Sequence, residues 1–161
     1  MPSEIVTKCS KLLIDKNLRV VFAESATGGR LGYEFSMTEK AGQFFIGSLV
    51  TYDAGLKQDR LDVSKELIDE FTPESAEVTK AMTLGLSVIV PADIYLSITG
   101  LVSPGGSETP EKPVGTIFIH GLCKDREIVD RTVFKGSPEE IVMQAIDRVA
   151  TLLIESINAN Y

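Results

Sequence analysis

The sequence predicts one α/β domain over residues 1–161, built as a three-layer α/β/α sandwich around a mixed sheet. Segments with apolar residues at helical spacing alternate with short runs rich in β-branched and aromatic residues, as in layered α/β folds. Two strand-like segments near the end of the chain are separated only by a short turn, which predicts an antiparallel pair within the sheet. With 161 residues and 43% hydrophobic content, the chain can bury a sizeable core.

Capping signals place the predicted helices. Ser3 begins a first amphipathic helix that Asn17 ends, and Thr27 is the candidate cap of a second helix. Thr72-Pro73-Glu74 combines a capping oxygen, a proline and an acid, so we expect a helix to begin there. Ser137-Pro138-Glu139-Glu140 has the spacing of a capping box. The predicted helical segments are residues 3–17, 27–37, 54–60, 64–71, 72–90 and 137 onward.

Short apolar or alternating runs predict five strands. They span residues 18–23, 43–52, 93–99, 114–122 and 128–134. The last two strands are joined by a turn over residues 123–127, and a loop rich in glycine and proline, residues 100–112, precedes them. We therefore expect helices on both faces of the sheet and a hairpin at its end.

Composition argues against several classes of partner. A net charge of −7 with no basic block disfavours nucleic acid, whose backbone an acidic surface repels. The apolar runs are far shorter than the roughly 20 residues that span a bilayer, and we see no leader segment, so we expect no membrane partner. Cys9, Cys123 and His120 are isolated, which predicts no metal site, no cofactor, reduced thiols and a cytoplasmic protein.

The segment from Ala23 to Gly29 carries the first chemical motif. It follows the apolar run Val20-Val21-Phe22, so Ser25 should lie between the end of a strand and the start of a helix, where open α/β proteins bind ligands. Gly28 and Gly29 allow close approach of the backbone, and amides at a helix start can bind an anion or oxyanion. The alternative is that Thr27 only caps the helix and the glycines only turn the chain.

Two further segments have a similar character. Tyr52 at the end of a strand and Lys57 in the next turn can project from the same sheet edge as Ser25. The stretch from Thr99 to Gly115 contains glycines whose amides can wrap a small ligand, while its prolines keep it stiff. The alternatives are that Tyr52 is an ordinary strand residue, that Lys57 is a solvated side chain, and that the loop only connects two strands.

These motifs, in this order, resemble the CinA C-terminal domain family, which includes stand-alone nicotinamide-nucleotide amidohydrolases. The resemblance implies an α/β/α fold, an oligomer (dimer or higher), and deamidation of nicotinamide mononucleotide to the nicotinic acid nucleotide and ammonia in pyridine-nucleotide salvage. It maps the catalytic set onto Ser25, Tyr52 and Lys57. The candidate substrate-binding residues lie in the two glycine-rich segments and are Glu24, Thr27, Gly28, Gly29, Gly100, Gly105, Gly106 and Thr109.

The sequence departs from the family pattern in four places. Ala26 replaces the usual cysteine, Ala54 replaces a frequent asparagine, and the loop from Leu101 to Glu108 is one residue longer. Pro138 stands where the family usually has an arginine, so a phosphate or carboxamide contact is lost there. Two other hypotheses follow: a weak or inactive nucleotide-binding or partner module that keeps the fold, and a structural oligomerisation domain.

A serine needs a base to attack an amide at neutral pH, and serine–lysine sites supply one without histidine. Lys57 would have to lose its proton, which requires its pKa to fall from about 10.4 to about 7.5, roughly 4 kcal/mol. Burial can lower the pKa by this amount, whereas a carboxylate close to the amine would raise it. We therefore expect the Asp53 and Asp59 side chains to point away from the amine. Tyr52 would relay the proton or hold the serine, and amides of residues 27–29 or 105–106 would hold the oxyanion.

Overall fold

Five strands form one mixed sheet in the computed structural model, which describes all 161 residues. The spatial order is β2-β1-β3-β4-β5, with β1 parallel to β2 and β3, and with β4 antiparallel to both of its neighbours. The strands are β1 (Val20–Glu24), β2 (Phe45–Val50), β3 (Ile94–Gly100), β4 (Thr116–Cys123) and β5 (Arg126–Val133). The predicted mixed sheet and its terminal hairpin are confirmed.

Helices cover both faces of this sheet. They are α1 (Glu4–Asp15), α2 (Arg30–Ser36), α3 (Ala54–Leu61), α4 (Lys65–Phe71), α5 (Ala76–Ile89) and α6 (Pro138–Asn160), with a 3₁₀ turn at Ala41–Gln43. Val20 and Phe22 pack into a core with α1, α2 and α6, whereas Val21 and Ala23 pack into a second core with α3, α4 and α5. Because consecutive β1 side chains enter different cores, both faces of the sheet are covered and the fold is a three-layer α/β/α sandwich.

Two predicted helix starts are wrong, each for a local reason. The helix expected from Thr72 begins at Ala76, because the Ser75 side chain accepts the Val78 amide and caps it. Thr72 instead ends α4 with φ 71° and ψ 157°. The second helix begins at Arg30 rather than Thr27, because Gly28 and Gly29 turn the chain at φ 54° and 99°.

Other sequence signals have the expected outcome. The capping box at Ser137 is present, with Pro138 in the first turn of α6. Cys9 and Cys123 are buried free thiols, and burial raises the pKa of Cys9 to about 12. None of the helices combines the length and apolar character that crossing a bilayer demands.

The contact between α3 and α5 fixes the position of Lys57, which α3 carries. Gly85 of α5 lies against the end of α3, where an added Cβ would overlap the Leu61 carbonyl oxygen and lie 2.7 Å from its carbon. No side chain larger than hydrogen fits there without separating the two helices. The glycine is therefore a packing requirement of this pair.

We expect Gly85→Ala to lower the free energy of unfolding by about 1–3 kcal/mol, because overpacking forces the two helices apart. Denaturant unfolding measures the change. Gly42→Ala is the matched control, since a Cβ at Gly42 meets nothing within 4 Å. A Gly85→Ala protein as stable as this control would contradict the close packing.

Candidate active site

Ser25 follows the end of β1, where the two parallel neighbours of that strand lie on either side. Its amide donates to the Ile98 carbonyl at 3.0 Å, which extends the pairing with β3 by one residue. The residue is 8% exposed. A nearly buried hydroxyl therefore lies at the carboxyl edge of the sheet, the place at which open α/β sheets bind ligands.

Glu24 organises the turn that follows β1. Its carboxylate is fully buried, yet it accepts five hydrogen bonds. The donors are Thr27 Oγ1 (2.6 Å), Gly29 N (3.0 Å), Leu31 N (3.1 Å), Gly32 N (2.8 Å) and Ser48 Oγ (2.6 Å). Because α2 has no capping side chain at Gly29, this carboxylate caps the helix instead. Glu24 is a structural residue here, and the predicted contact with substrate has no support in this geometry.

The same bonds change which amides can hold an oxyanion. Gly28 N donates to the Ser25 carbonyl, and Gly29 N donates to Glu24, so of the predicted amides of residues 27–29 only that of Thr27 is available to a ligand. The Ala26 and Thr27 amides have no acceptor within the chain. Since the amide after a nucleophilic serine is a common oxyanion donor, these two amides are the candidates.

Lys57 contacts Ser25 directly. Its Nζ lies 2.9 Å from Ser25 Oγ, 2.6 Å from the Thr51 carbonyl and 3.1 Å from the Tyr52 carbonyl. The whole residue is buried, with 0% exposure. This burial lowers its pKa to about 8, while the charges of Glu74 and Asp53 act in the opposite direction.

The three contacts match a neutral amine as well as an ammonium. An ammonium donates to all three oxygens, whereas a neutral amine donates two protons and keeps one lone pair. The two carbonyls can only accept, so the neutral amine donates to them and accepts the proton of the Ser25 hydroxyl. The cage of carbonyls therefore orients the lone pair of Lys57 toward Ser25.

Neither Asp53 nor Asp59 bonds to the Lys57 amine, as expected, whereas the effect of Glu74 was not predicted. Asp53 caps α3 by accepting the Gly55 amide at 2.8 Å, so it makes no bond to the amine, yet its charge still raises the Lys57 pKa. Glu74 has a larger effect in the same direction and lies in a segment that the sequence marked only as a helix start. Asp59 is not among the groups that shift the Lys57 pKa.

Tyr52 is not part of the hydrogen-bonded pair. Its side chain is 65% exposed, and its phenol makes no hydrogen bond within the chain. Its carbonyl, rather than its hydroxyl, holds Lys57. The structure thus joins two of the three predicted catalytic residues, and a proton relay through Tyr52 has no support in this geometry.

The glycine-rich loop also differs from expectation. The Gly105 and Gly106 amides both donate to the Glu108 carboxylate at 2.8 Å, so they are not available to an oxyanion. Thr109 closes a turn with Lys112 by mutual backbone bonds of 3.0 and 3.1 Å. Gly100 is required by packing, because an added Cβ would lie 2.6 Å from the Thr116 carbonyl.

A cluster that sequence reasoning missed fastens this loop to the segment between α4 and α5. Lys112 Nζ donates to Thr72 Oγ1 at 2.7 Å, the Glu74 carbonyl at 2.8 Å and Ser107 Oγ at 2.9 Å. Ser107 in turn donates to the Glu74 carboxylate at 2.6 Å. In the sequence, the only indication of this cluster is a lysine within a loop of glycines and prolines.

Together these features define an α/β/α protein with a buried serine–lysine pair at the carboxyl end of β1, an interior strand of its sheet. The chain belongs to the CinA C-terminal domain family, whose match covers residues 3–157. A CinA-like protein of Desulfotalea psychrophila is 33% identical over 149 residues, 90% of this chain and 36% of the relative. One of Petrotoga mobilis is 38% identical over 135 residues, 83% of this chain and 33% of the relative. This chain spans about a third of the length of these curated relatives.

Solved structures agree with this assignment. A competence-damaged protein (CinA) superfamily protein from Klebsiella pneumoniae superposes with a TM-score of 0.91 at 27% identity, over 97% of both chains. One from Escherichia coli superposes with a TM-score of 0.87 at 27% identity, over 94% of this chain and 87% of that one. The predicted family and fold class are both confirmed.

The structural role of Glu24 has a measurable consequence. We expect Glu24→Gln to lower the free energy of unfolding by about 2 kcal/mol or more, because its amide group would face buried donors and leave them unpaired. Denaturant unfolding measures this. Glu108→Gln is the control, since Glu108 also accepts two backbone amides but is exposed. If Glu24→Gln were as stable as Glu108→Gln and changed only KM, Glu24 would be a ligand contact.

Proposed function

We propose that this domain hydrolyses a carboxamide through Ser25 and Lys57, and that its substrate is nicotinamide mononucleotide. The products are the nicotinic acid nucleotide and ammonia. The observation that carries the proposal is the 2.9 Å contact between Lys57 Nζ and Ser25 Oγ in a buried, carbonyl-lined position. Membership in the CinA C-terminal domain family supports the choice of substrate.

The chemistry proceeds in two halves. Neutral Lys57 takes the Ser25 proton as Oγ attacks the carboxamide carbon, and the resulting oxyanion accepts the Ala26 and Thr27 amides. The Lys57 ammonium then protonates the leaving nitrogen, so ammonia departs and an ester to Ser25 remains. Lys57 next takes a proton from water, whose oxygen attacks the ester, and returns that proton to Ser25 as the carboxylic acid product leaves and releases its own proton to solvent.

Burial of Lys57 supports this role for a physical reason. A lysine with a pKa of about 8 is partly neutral near neutral pH, whereas one with its ordinary pKa is almost wholly protonated. The charges of Glu74 and Asp53 limit the fall in pKa, which keeps the ammonium stable enough to protonate the leaving group.

The predicted oligomer, single-domain boundary and cytoplasmic location stay predictions.

Ammonia release from nicotinamide mononucleotide by the purified protein tests the proposal. We expect Ser25→Ala to lose roughly three orders of magnitude or more in kcat while it keeps the fold, because deletion of a nucleophile removes the covalent route. Circular dichroism and unfolding check the fold. No ammonia from the wild type at high enzyme concentration, with the nucleotide still bound in calorimetry, would favour the non-catalytic binding module.

The Lys57→Arg variant distinguishes two possible roles of Lys57, a general base and a contact with the substrate phosphate. Guanidinium keeps the charge but cannot accept a proton, so we expect this variant to be as inactive as Lys57→Met. The wild-type rate should rise with pH and level off above about 8, because the neutral amine is the reactive form. Steady-state rates across pH measure both effects. Substantial activity in Lys57→Arg, together with a flat alkaline profile, would remove Lys57 as the base.

A further inference from the structure

Two cations meet near the glycine-rich loop without a carboxylate partner. Neither Lys112 nor Arg131 has a carboxylate oxygen within 4.0 Å, although the protein carries a net charge of −7. Arg131 donates to the Glu111 carbonyl, and its guanidinium carbon lies 5.7 Å from the Phe118 ring centroid. Burial lowers the Lys112 pKa, and the Arg131 charge lowers it further against the opposing effect of Glu74. Because Arg131 contacts the carbonyl of the residue before Lys112, the two cations are neighbours, and two neighbouring cations without an ion pair favour an anion.

Hydroxyl groups surround the same ammonium. Lys112 Nζ is 2.7 Å from Thr72 Oγ1 and 2.9 Å from Ser107 Oγ. Thr72 has φ 71° and ψ 157°, a region that only glycine adopts without strain. Such strain persists where the surroundings impose it, often at ligand sites. An ammonium, a guanidinium and two hydroxyls are groups that bind phosphate oxygens.

The strand registers place these groups on the same edge and face as the serine–lysine pair. Ser25, Thr99, Phe118 and Arg131 form one row, one residue beyond the last pair of β1 with β3. Thr99 faces α5, since its hydroxyl lies 2.8 Å from that of Thr79. Paired strand residues share a face, so Arg131 also points to the α5 side. Three strand spacings, about 14 Å, separate the Ser25 and Arg131 backbones, and the Arg131 side chain lies back over Phe118 toward the serine.

Glu74 connects the two groups of residues. Its carbonyl accepts the Lys112 ammonium at 2.8 Å, and its charge also acts on Lys57. Lys112 of the loop and Lys57 of α3 therefore lie near the same residue. An extended mononucleotide with its carboxamide at Ser25 would place its phosphate in the direction of Lys112.

We propose that Lys112 and Arg131, with the hydroxyls of Thr72 and Ser107, form the subsite for the phosphate of a nicotinamide mononucleotide whose carboxamide lies at Ser25. The inference rests on the proposed function. In this structure the Ser107 hydroxyl donates to the Glu74 carboxylate and the Thr72 hydroxyl to the Glu74 carbonyl, and rotation about each Cα–Cβ bond redirects those protons to phosphate oxygens. The subsite thus distinguishes the nucleotide from its dephosphorylated nucleoside.

The test compares nicotinamide mononucleotide with nicotinamide riboside, which carries the same carboxamide and no phosphate. We expect Lys112→Met and Arg131→Met each to lower kcat/KM for the mononucleotide by about 10- to 100-fold and to leave that for the riboside within about twofold. Lys11→Met on α1 is the matched control, an exposed lysine of the opposite face, and should change neither. Equal losses on both substrates, or no loss on either, would overturn the subsite.

A binding measurement separates this inference from the proposed reaction. Calorimetry with the Ser25→Ala protein measures the affinity for both compounds without turnover. Tighter binding of the mononucleotide that Arg131→Met abolishes supports the subsite even if the wild type releases no ammonia. Equal affinities for the two compounds overturn it even if the wild type is active. If Lys112→Met does not fold, Arg131→Met decides, since Arg131 contacts only a carbonyl and a ring.

Discussion

The buried carboxylate of Glu24 is the constraint on which the site depends. A charge removed from water must be surrounded by donors, or its desolvation costs several kcal/mol. Glu24 takes its donors from the turn after β1, from the start of α2 and from Ser48 of β2. This fixes the turn in one shape and uses the amides at the helix start. The amides left without an acceptor belong to Ala26 and Thr27, directly after Ser25. The candidate oxyanion site is thus a consequence of how a buried charge is satisfied.

Lys57 has the opposite requirement, because it must be able to lose its charge in order to act as a base. Burial lowers its pKa to about 8, and the two carbonyls that contact its amine can accept both protons of the neutral form. Glu74 and Asp53 oppose this shift from a distance. The close packing of α3 on α5 at Gly85 holds the amine at hydrogen-bonding distance from Ser25. The reacting pair therefore depends on tight helix packing as much as on the two residues themselves.

The departures from the family pattern have local explanations. Ala26 offers its backbone amide, which does not depend on the side chain, and Ala54 is the first residue of α3 after the Asp53 cap. Pro138 begins α6 within an intact capping box, so a proline suits the position structurally. In the proposed subsite the cations come instead from Lys112 and Arg131, which lie on other segments. A binding function lost at one position of a sequence can in this way be carried by residues far from it in the chain.

The sequence by itself determined the layered α/β class, the hairpin, the last helix and its cap, and the family, because periodicity, capping chemistry and ordered motifs are local. It also placed Ser25 and Lys57 at the same edge of the sheet, since both follow strands that end there, and the family resemblance assigned them to one catalytic set. Tertiary structure alone decided that Glu24 serves the turn, that the Tyr52 carbonyl contacts Lys57, and that Glu108 occupies the loop amides. It also brought Thr72 to Lys112, 40 residues apart. Which of several possible acceptors a donor finds depends on packing between distant segments, and no local pattern encodes that choice.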